Sequence, residues 1–312
     1  MRVAISGATG LVGTALATHL EGAGHEVLRV RRATSDDRLA DWNPAVGWIR
    51  PGALDGVDAV VHLAGAPIAG TSLRDLRWTR AHLERIRTSR VDATRLLVDH
   101  LAALPHPPRI FVAASAIGIY GEGGATPLTE ASPPGDGTLA TLARDWEREL
   151  MRASDRGMRA VVLRFGHVLS RRGGLLARLL SRRGGLLARL LPTARLGLGA
   201  TFGDGTQYLS WIHIDDLTRV IELALTTDIE GPHNATTPNP VTQRDFTRAL
   251  AHTLHRPAVL TIPAPALRFA LGPAAEDLLL SGQRVLPERL QASGFTFAHP
   301  EIEGALRAIL VR

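Results

Sequence analysis

The chain of 312 residues contains no cysteine and no lysine, and aromatic residues make up only 4% of it. Without cysteine, neither disulfide bonds nor thiolate chemistry is possible. All 36 basic residues are arginine. Mechanisms that depend on a lysine ammonium are therefore excluded.

A long apolar segment is also missing. No run of about 18 apolar residues is free of charges and of glycine or proline, so we predict no membrane span. The apolar N-terminus has one early arginine and is interrupted by Gly7, Gly10 and Gly13, which is unlike a signal peptide. We therefore expect a cytoplasmic protein.

The formal net charge of +6 does not predict a nucleic-acid partner. Basic and acidic residues alternate through most of the chain, and a GC-rich genome explains the arginine excess better than selection for nucleic-acid binding. We expect a small-molecule substrate, no nucleic acid and no metal, and we leave a homodimer open.

A strand, a glycine-rich turn, a helix and a second strand open the chain. Arg2 to Ser6 and Glu26 to Val30 have the pattern of buried strands, and a helical pattern lies between them. In such a unit the turn binds the pyrophosphate of a dinucleotide against free N–H groups of the helix start. The residues expected at this turn are Gly7, Thr9, Gly10, Leu11, Val12 and Gly13.

Each glycine of the turn has a physical role. Gly7 permits a tight turn, Gly10 lets the backbone approach the pyrophosphate, and Gly13 lets the helix pack close to the strand. The alternative is a glycine-rich turn without a ligand. The surrounding strand–helix–strand pattern favours nucleotide binding.

Two arginines, Arg31 and Arg32, follow the second strand. NAD sites usually have an acidic residue here for the ribose 2′-hydroxyl, whereas guanidinium groups suit a 2′-phosphate. We therefore predict NADP(H) as cofactor, with solvated surface arginines as the alternative.

A third buried strand runs from Asp58 into a turn of small residues. We expect Leu63, Ala64 and Gly65 to line the cofactor crevice, because it lies at the carboxyl ends of parallel strands. His62 within this strand is interpreted as a hydrogen-bonded core histidine in preference to a catalytic one.

Strands and helices continue to alternate along the chain. We predict helical structure over Ser72 to Leu104, a strand over Arg109 to Ala114, a helix over Thr138 to Asp155 and a strand over Arg159 to Phe165. This order predicts an α/β fold, a Rossmann-type doubly wound parallel sheet with a smaller C-terminal α+β lobe.

The C-terminal third predicts the smaller lobe. We expect a strand over Leu209 to Ile214, Asp215 as the cap of the next helix, and helices over Thr242 to Leu254, Pro265 to Ser281 and Glu301 to Val311. The predicted NADP-binding domain comprises 1–169 with 212–236. The substrate-side lobe comprises 170–211 and 237–312, and the substrate cleft lies between the two.

Several segments together resemble a known family. They are Gly7 to Gly13, His62 to Gly65, Arg77 to Thr79, Ser89-Arg90, Ser115 to Gly121, Arg144 to Glu147, Ser210 to Asp216, Gly282 to Pro287 and Gly294-Phe295. With them the chain resembles the extended or atypical short-chain dehydrogenase/reductase superfamily, and within it the epimerase family proteins called nucleoside-diphosphate-sugar epimerases. The resemblance covers nearly the whole chain, including that group's small C-terminal domain.

Two departures from the superfamily pattern concern chemistry. The resemblance implies a catalytic Tyr and a Lys four residues later, but Leu139 and Ala143 occupy the matching positions. That Lys normally lowers the Tyr pKa. Leu209 stands where sugar-nucleotide epimerases have an Arg for the diphosphate.

The leading interpretation is an NADP(H)-binding oxidoreductase or epimerase-like enzyme that transfers hydride on an unidentified small substrate. Ser115 is predicted to hydrogen-bond both cofactor and substrate, with a buried loop serine as the alternative. Tyr120, Glu147 and His213 are candidate proton donors. The rival is a non-catalytic NADP(H)-binding sensor or scaffold, in which Glu147 pairs with Arg144 as a structural salt bridge.

Ser170 to Leu180 is repeated letter for letter by Ser181 to Leu191. Eleven residues are about three helical turns, so the repeat predicts a surface helix extended in phase. Because the repeat is rich in arginine, a protein that binds lipid or RNA is a third interpretation of the function.

Overall fold

A six-stranded parallel sheet forms the centre of this computed structural model, which describes residues 1–33, 41–68, 77–170, 186–272 and 274–311. Its strands have the order β13-β8-β6-β5-β1-β2. The strands of the structure are β1 (Arg2–Ser6), β2 (Glu26–Val30), β3 (Trp42–Asn43), β4 (Trp48–Ile49), β5 (Ala59–His62), β6 (Ile110–Ala116), β7 (Pro127–Leu128), β8 (Arg159–Phe165), β9 (His167–Leu169), β10 (Ala200–Phe202), β11 (Tyr208–Leu209), β12 (Trp211–His213), β13 (Gly231–Ala235), β14 (Val241–Thr242), β15 (Leu260–Ile262) and β16 (Arg284–Val285).

The helices cover both faces of the sheet. The first four are α1 (Leu11–Gly22), α2 (Arg80–Arg87), α3 (Ala93–Ala102) and α4 (Thr138–Asp155). Later helices span Leu186–Arg195, Ile214–Thr226, Gln243–Thr253, Ala264–Leu271, Glu288–Ala292 and Ile302–Leu310. The predicted Rossmann-type doubly wound sheet is confirmed. The strand order reverses between β1 and β5, which is where such sheets open a ligand crevice.

Alternating residues of the strands contribute side chains to two hydrophobic cores, one on each face of the sheet. In β1, Val3 and Ile5 pack under α1 and Ile214–Thr226, whereas Ala4 lies on the opposite face with α3 and α4. Leu16 and Leu20, one turn apart on α1, are fully buried. Burial of each such leucine stabilises the fold by about 1.5–3 kcal/mol.

A third core lies in the C-terminal part of the chain. Trp211, Phe246 and Leu306 pack there together with Leu187 and Leu191. This cluster combines side chains from 170–211 with side chains from 237–312, the two segments that the sequence assigns to the smaller lobe.

Three sequence-based boundaries need correction. Within the described residues, the helix expected from Ser72 begins at Arg80, where Thr79 accepts the capping bond from the His82 amide. Residues 69–76 lie outside the described residues. The predicted helix Pro265 to Ser281 is interrupted: the α-helix ends at Leu271, Gly272 takes a positive φ of 62°, and a π-helical segment follows over Glu276–Leu280.

The strand expected over Leu209 to Ile214 is divided at Ser210. The hydroxyl of Ser210 donates to the Gln283 carbonyl and accepts from the Val285 amide, so this residue ties two segments together. Residues 171–185, which are the first repeat copy after Ser170 and the start of the second copy, lie outside the described residues, and so does the predicted helix extension. The described part of the second copy begins the helix Leu186–Arg195.

Among the described helices, none has the length and apolar character needed to cross a bilayer.

Candidate functional site

The turns that follow β1 and β5 are in close contact. Gly7 has a φ of 73°, and a Cβ there would lie 2.8 Å from the Leu63 carbonyl carbon and 2.9 Å from the Ala64 nitrogen. Because neither backbone can retreat without moving its strand, only glycine fits. The contact brings two predicted cofactor-binding segments together at the reversal of strand order.

Gly13 closes the turn from the helix side. A Cβ on Gly13 would lie 2.3 Å from the Gly7 oxygen and 2.7 Å from the Ala8 Cα. Helix α1 is therefore packed against the turn more closely than any side chain would permit. The role predicted for this glycine agrees with the geometry.

The start of α1 is suited to an anion. Gly10 is the N-cap, no side chain caps the helix, and its first turn has no acidic residue. Thr9 is exposed, while Leu11 and Val12 are partly buried. The N–H groups of a helix start, together with its dipole, form an anion-binding site.

The arginines after β2 lie at an exposed edge beside one buried carboxylate. Asp41 accepts from the Arg31 amide at 2.7 Å and forms an ion pair with the Arg50 guanidinium. The Arg31 side chain is half exposed and its Nε lies 3.8 Å from the same carboxylate. Asp41 is thus occupied by internal contacts, whereas the side chains of Arg31 and Arg32 are exposed.

His62 is a core histidine, as predicted. It is fully buried, and its ring nitrogens lie 2.6 Å from the Ser6 hydroxyl and 3.1 Å from the Thr94 hydroxyl. Burial, with a smaller effect of the Arg90 charge, lowers the pKa of His62 to about 4. Trp146 is also core, and its indole N–H donates to Thr94.

Three polar residues align across the carboxyl ends of neighbouring strands. Ser115 of β6 is in register with Arg164 of β8, which is in register with Asn234 of β13. Aligned residues of parallel strands point to the same face. This face is the one covered by α4.

Glu147 of α4 connects the row. It accepts from the Ser115 hydroxyl at 2.6 Å and from two nitrogens of Arg164 at 2.9 and 2.8 Å. All three residues are at least nine-tenths buried. Burial alone would lower the pKa of Arg164, but its bonds and charge interaction with Glu147 raise it. The predicted pairing of Glu147 with Arg144 is wrong, because Arg144 bonds Thr141 instead.

Tyr120 extends this row of contacts. Its hydroxyl donates to the Asn234 side chain at 2.7 Å and accepts from Arg164 at 2.8 Å. Burial raises the pKa of Tyr120, against the opposing effect of Arg164. A catalytic tyrosine needs the opposite shift. The Tyr120 hydroxyl is thus occupied by two internal contacts, and its role as a proton donor stays a prediction.

The two residues at the positions of the missing Tyr–Lys pair, Leu139 and Ala143, pack among other side chains. Ala143 is buried with Ile117 and Tyr120, and Leu139 packs beside Gly118. Leu209 lies in the apolar C-terminal core with Trp211. Neither place offers a proton donor or a diphosphate ligand.

The helix after β12 is capped differently from our expectation. His213, not Asp215, is the N-cap, and its Nδ1 accepts the Asp215 amide at 3.1 Å. The neighbouring Asp216, fully buried, accepts from the Ala298 and His299 amides. His213, Asp215 and His299 offer ligand atoms within 4.8 Å of one another, but Nδ1 of His213 serves the helix cap.

Comparison with known proteins decides the family. The model of the NAD dependent epimerase/dehydratase family matches residues 3–237, and a domain of unknown function, DUF1731, matches residues 262–309. The chain belongs to the NAD dependent epimerase/dehydratase family. It therefore combines that family's nucleotide-binding architecture with a separate C-terminal domain type.

Relatives of this family member extend over its whole length. Epimerase family protein Mb2239 of Mycobacterium bovis is 40% identical over 306 residues, which are 97% of this chain and 96% of the relative. The crystal structure of human epimerase family protein SDR39U1 (isoform 2) with NADPH has a TM-score of 0.83 and 30% identity, and both chains are covered completely. A nucleoside-diphosphate sugar epimerase from Corynebacterium glutamicum has a TM-score of 0.75 and 35% identity, over 99% of this chain and 58% of that one.

Proposed function

We propose that this family member binds NADP(H) and transfers hydride on a small substrate, as an oxidoreductase or epimerase-like enzyme. The observation that carries the proposal is the glycine turn. Gly7 and Gly13 pack so closely on backbone atoms that neither position can carry a side chain. The N–H groups at the start of α1 have no side-chain cap. Such a turn suits a pyrophosphate.

The choice of NADP(H) over NAD(H) is supported by charge. Asp41 is occupied by Arg31 and Arg50, so it is not available to the ribose hydroxyl of NAD(H). The two exposed guanidinium groups after β2 are complementary to a 2′-phosphate. The human relative of TM-score 0.83 was crystallised with NADPH.

For the chemical step we propose Ser115 as the residue that contacts the reacting oxygen. Hydride transfer itself is chemistry that the bound nicotinamide supplies. Because the Ser115 proton is directed at Glu147, the serine oxygen offers lone pairs and can accept a hydrogen bond from a substrate hydroxyl. Arg164 holds the Glu147 carboxylate in place.

A non-catalytic NADP(H)-binding sensor is the second candidate. It is favoured by the apolar side chains of Leu139 and Ala143 and by the internal contacts of Tyr120. Binding of the nucleotide is common to both functions, whereas turnover separates them.

The cofactor proposal is tested by titrating NADPH and NADH into purified protein and following nicotinamide fluorescence. The wild type should bind NADPH more tightly, and Arg31→Ala with Arg32→Ala should remove that preference. Arg29→Ala is the matched control, since Arg29 lies on the same strand but pairs with Glu21 at 2.6 Å. Equal binding of both nucleotides by the wild type would contradict the proposed specificity.

Turnover is tested with NADPH and a panel of small aldehydes and ketones, and with NADP⁺ and the matching alcohols. Activity that is lost in Ser115→Ala while NADPH affinity persists supports the enzyme. NADPH binding without turnover of any panel member favours the sensor.

A further inference from the structure

Arg90 is a buried cation directly behind the turn that follows β5. It lies in the π-helical segment Thr88–Asp92 and is 9% exposed. Its Nη1 donates to the carbonyl oxygens of Ala66 at 2.9 Å and Ile86 at 3.4 Å. Its guanidinium carbon lies 5.2 Å from the ring centre of Trp146.

No carboxylate among the described residues pairs with this guanidinium, and its Nε has no hydrogen-bond partner. Desolvation lowers the pKa of Arg90 to about 10. The nearby Arg164, equally buried, instead has two bonds to Glu147. Arg90 is therefore the buried arginine whose charge is left uncompensated, and this charge also lowers the pKa of His62.

Among the described residues, Gly65 lies directly against the guanidinium. A Cβ on Gly65 would lie 3.1 Å from Cζ and 3.2 Å from Nη2 of Arg90. Gly65 itself is exposed, at the carboxyl end of β5 where the sheet opens its crevice. A ligand lying over Gly65 would approach the charge closely, because no side chain intervenes.

Burying a charge without a partner is unfavourable, and a protein normally pairs such a group. A ligand that brings the missing negative charge would remove this penalty on binding. Carboxylates and phosphates fit the planar guanidinium best.

We propose that Arg90 receives an anionic group, a carboxylate or phosphate, of the ligand that lies over Gly65. The inference deepens the proposed function, on which it rests, by assigning an anionic partner to the β5 side of the crevice. The anion comes either from the cofactor pyrophosphate or from the substrate, and the two sources are separable by experiment.

The test uses the full chain and three variants. Arg90→Gln removes the charge but keeps hydrogen-bond donors, Arg90→Lys keeps the charge, and Gly65→Ala covers the guanidinium. NADPH is titrated at low and high salt. Malonate and inorganic phosphate are then titrated into the NADP⁺-saturated protein and, separately, into the protein without nucleotide.

Loss of a charge-assisted bond should weaken anion binding by about 10- to 100-fold in Arg90→Gln. If the anion belongs to the cofactor, the loss appears in NADPH affinity; if it belongs to the substrate, it appears with malonate or phosphate only. In either case Arg90→Lys should retain much of the wild-type affinity for the anion, and Gly65→Ala should lower that affinity. The affinity of Arg90→Gln for the anion should depend less on salt concentration than that of the wild type.

Removal of an unpaired buried charge should also leave the melting temperature of the unliganded Arg90→Gln protein unchanged or raised. A purely structural arginine predicts a lower melting temperature. Unaltered affinity for NADPH, malonate and phosphate in Arg90→Gln would overturn the proposal. A wild type that does not bind NADPH contradicts the proposed function, while its response to malonate and phosphate still decides the role of Arg90.

Discussion

The two halves of the crevice differ in how far they keep the pattern of their superfamily. On the β1 side, Gly7 and Gly13 form a tight glycine turn that backbone contacts make obligatory. On the β6 side, the Tyr and Lys of the resemblance are replaced by Leu139 and Ala143, while Glu147 and Arg164 form a buried ion pair beside Ser115.

This difference separates binding from chemistry. A phosphate turn depends on backbone shape, so it tolerates few alternatives. A proton-transfer group depends only on a suitable hydroxyl or carboxylate within reach, so different residues can supply it. The β1 side therefore favours nucleotide binding. The β6 side favours either a reaction with a different proton donor or no reaction.

The largest effect is expected from Glu147→Gln, which tests whether the β6 side is held together by its ion pair. Arg164 would remain buried without its counter-charge, which should lower the free energy of unfolding by about 3–5 kcal/mol. Urea unfolding measures the loss. Arg268→Gln in the exposed pair with Glu276 should cost at most about 1 kcal/mol.

The paired variant Glu147→Leu with Arg164→Met should recover much of that stability, because neither charge is then left alone. A loss below about 1 kcal/mol in Glu147→Gln, the level of an exposed pair, would show that the ion pair does not organise this half.

Gly13→Ala tests the β1 side. Its Cβ would meet the Gly7 oxygen at 2.3 Å, so the turn must shift. Overpacking of this kind costs about 1–3 kcal/mol, which corresponds to about a 5- to 150-fold loss of NADPH affinity if the nucleotide-bound turn carries this cost. The stabilisation of the protein by NADPH in thermal melts should shrink accordingly.

Gly22→Ala is the control on the same helix. Its Cβ would meet nothing within 4 Å, so NADPH should stabilise this variant as it does the wild type. Equal stabilisation of Gly13→Ala would mean that the turn is not the nucleotide site.

His62 lies between the two halves and predicts a pH dependence of stability. Burial lowers its pKa to about 4 in the fold, against an ordinary value of 6.5. The folded form requires the neutral ring, so stability is unaffected above pH 6.5 and falls by about 1.4 kcal/mol per pH unit from there toward pH 4.

Urea unfolding at pH 7 and pH 5 checks this dependence. His62→Gln should reduce the difference between the two pH values by about 2 kcal/mol, whereas His106→Gln at an exposed position should not. An unchanged difference in His62→Gln would contradict the assignment.

The smallest effect is expected from deleting Ser181 to Leu191. Because the two copies are identical, the deletion joins Leu180 of the first copy to Pro192, and Leu176 and Leu180 then take the sequence places of Leu187 and Leu191, which reach the third core. Unfolding free energy and NADPH affinity should change by no more than about 0.5 kcal/mol.

Leu191→Ala, which removes a buried side chain of the same helix, should cost about 2–5 kcal/mol. A large loss of unfolding free energy in the deletion variant would show that the fold requires the second copy.

Sequence patterns predicted the sheet and the turn well because both depend on local chemistry. Thr138 to Asp155 and Arg159 to Phe165 match the observed helix and strand. The glycine spacing, read with its flanking strands, predicted the tight turn between β1 and α1, while its binding of a phosphate stays a prediction. Boundaries failed where a long-range contact decides, as at Ser210, whose hydroxyl bonds Gln283 and Val285.

The polar row on the β6 side was only partly foreseen. Ser115, Tyr120 and Glu147 were all candidates, but their partners Arg164 and Asn234 were not. The signal was available in Arg164, a charged residue inside an apolar strand, because a charge there must find a buried partner. Which partner it finds depends on strand register and on the rotation of α4, which local patterns do not specify.

The claim that the two halves are separable is tested most directly by titrating NADPH into wild type, Gly13→Ala and Tyr120→Phe in parallel. Tyr120→Phe removes one hydroxyl of the β6 side and leaves its ion pair. We predict that the wild type and Tyr120→Phe bind NADPH equally, whereas Gly13→Ala binds it far more weakly. Equal binding by all three proteins, or a loss confined to Tyr120→Phe, would contradict the account.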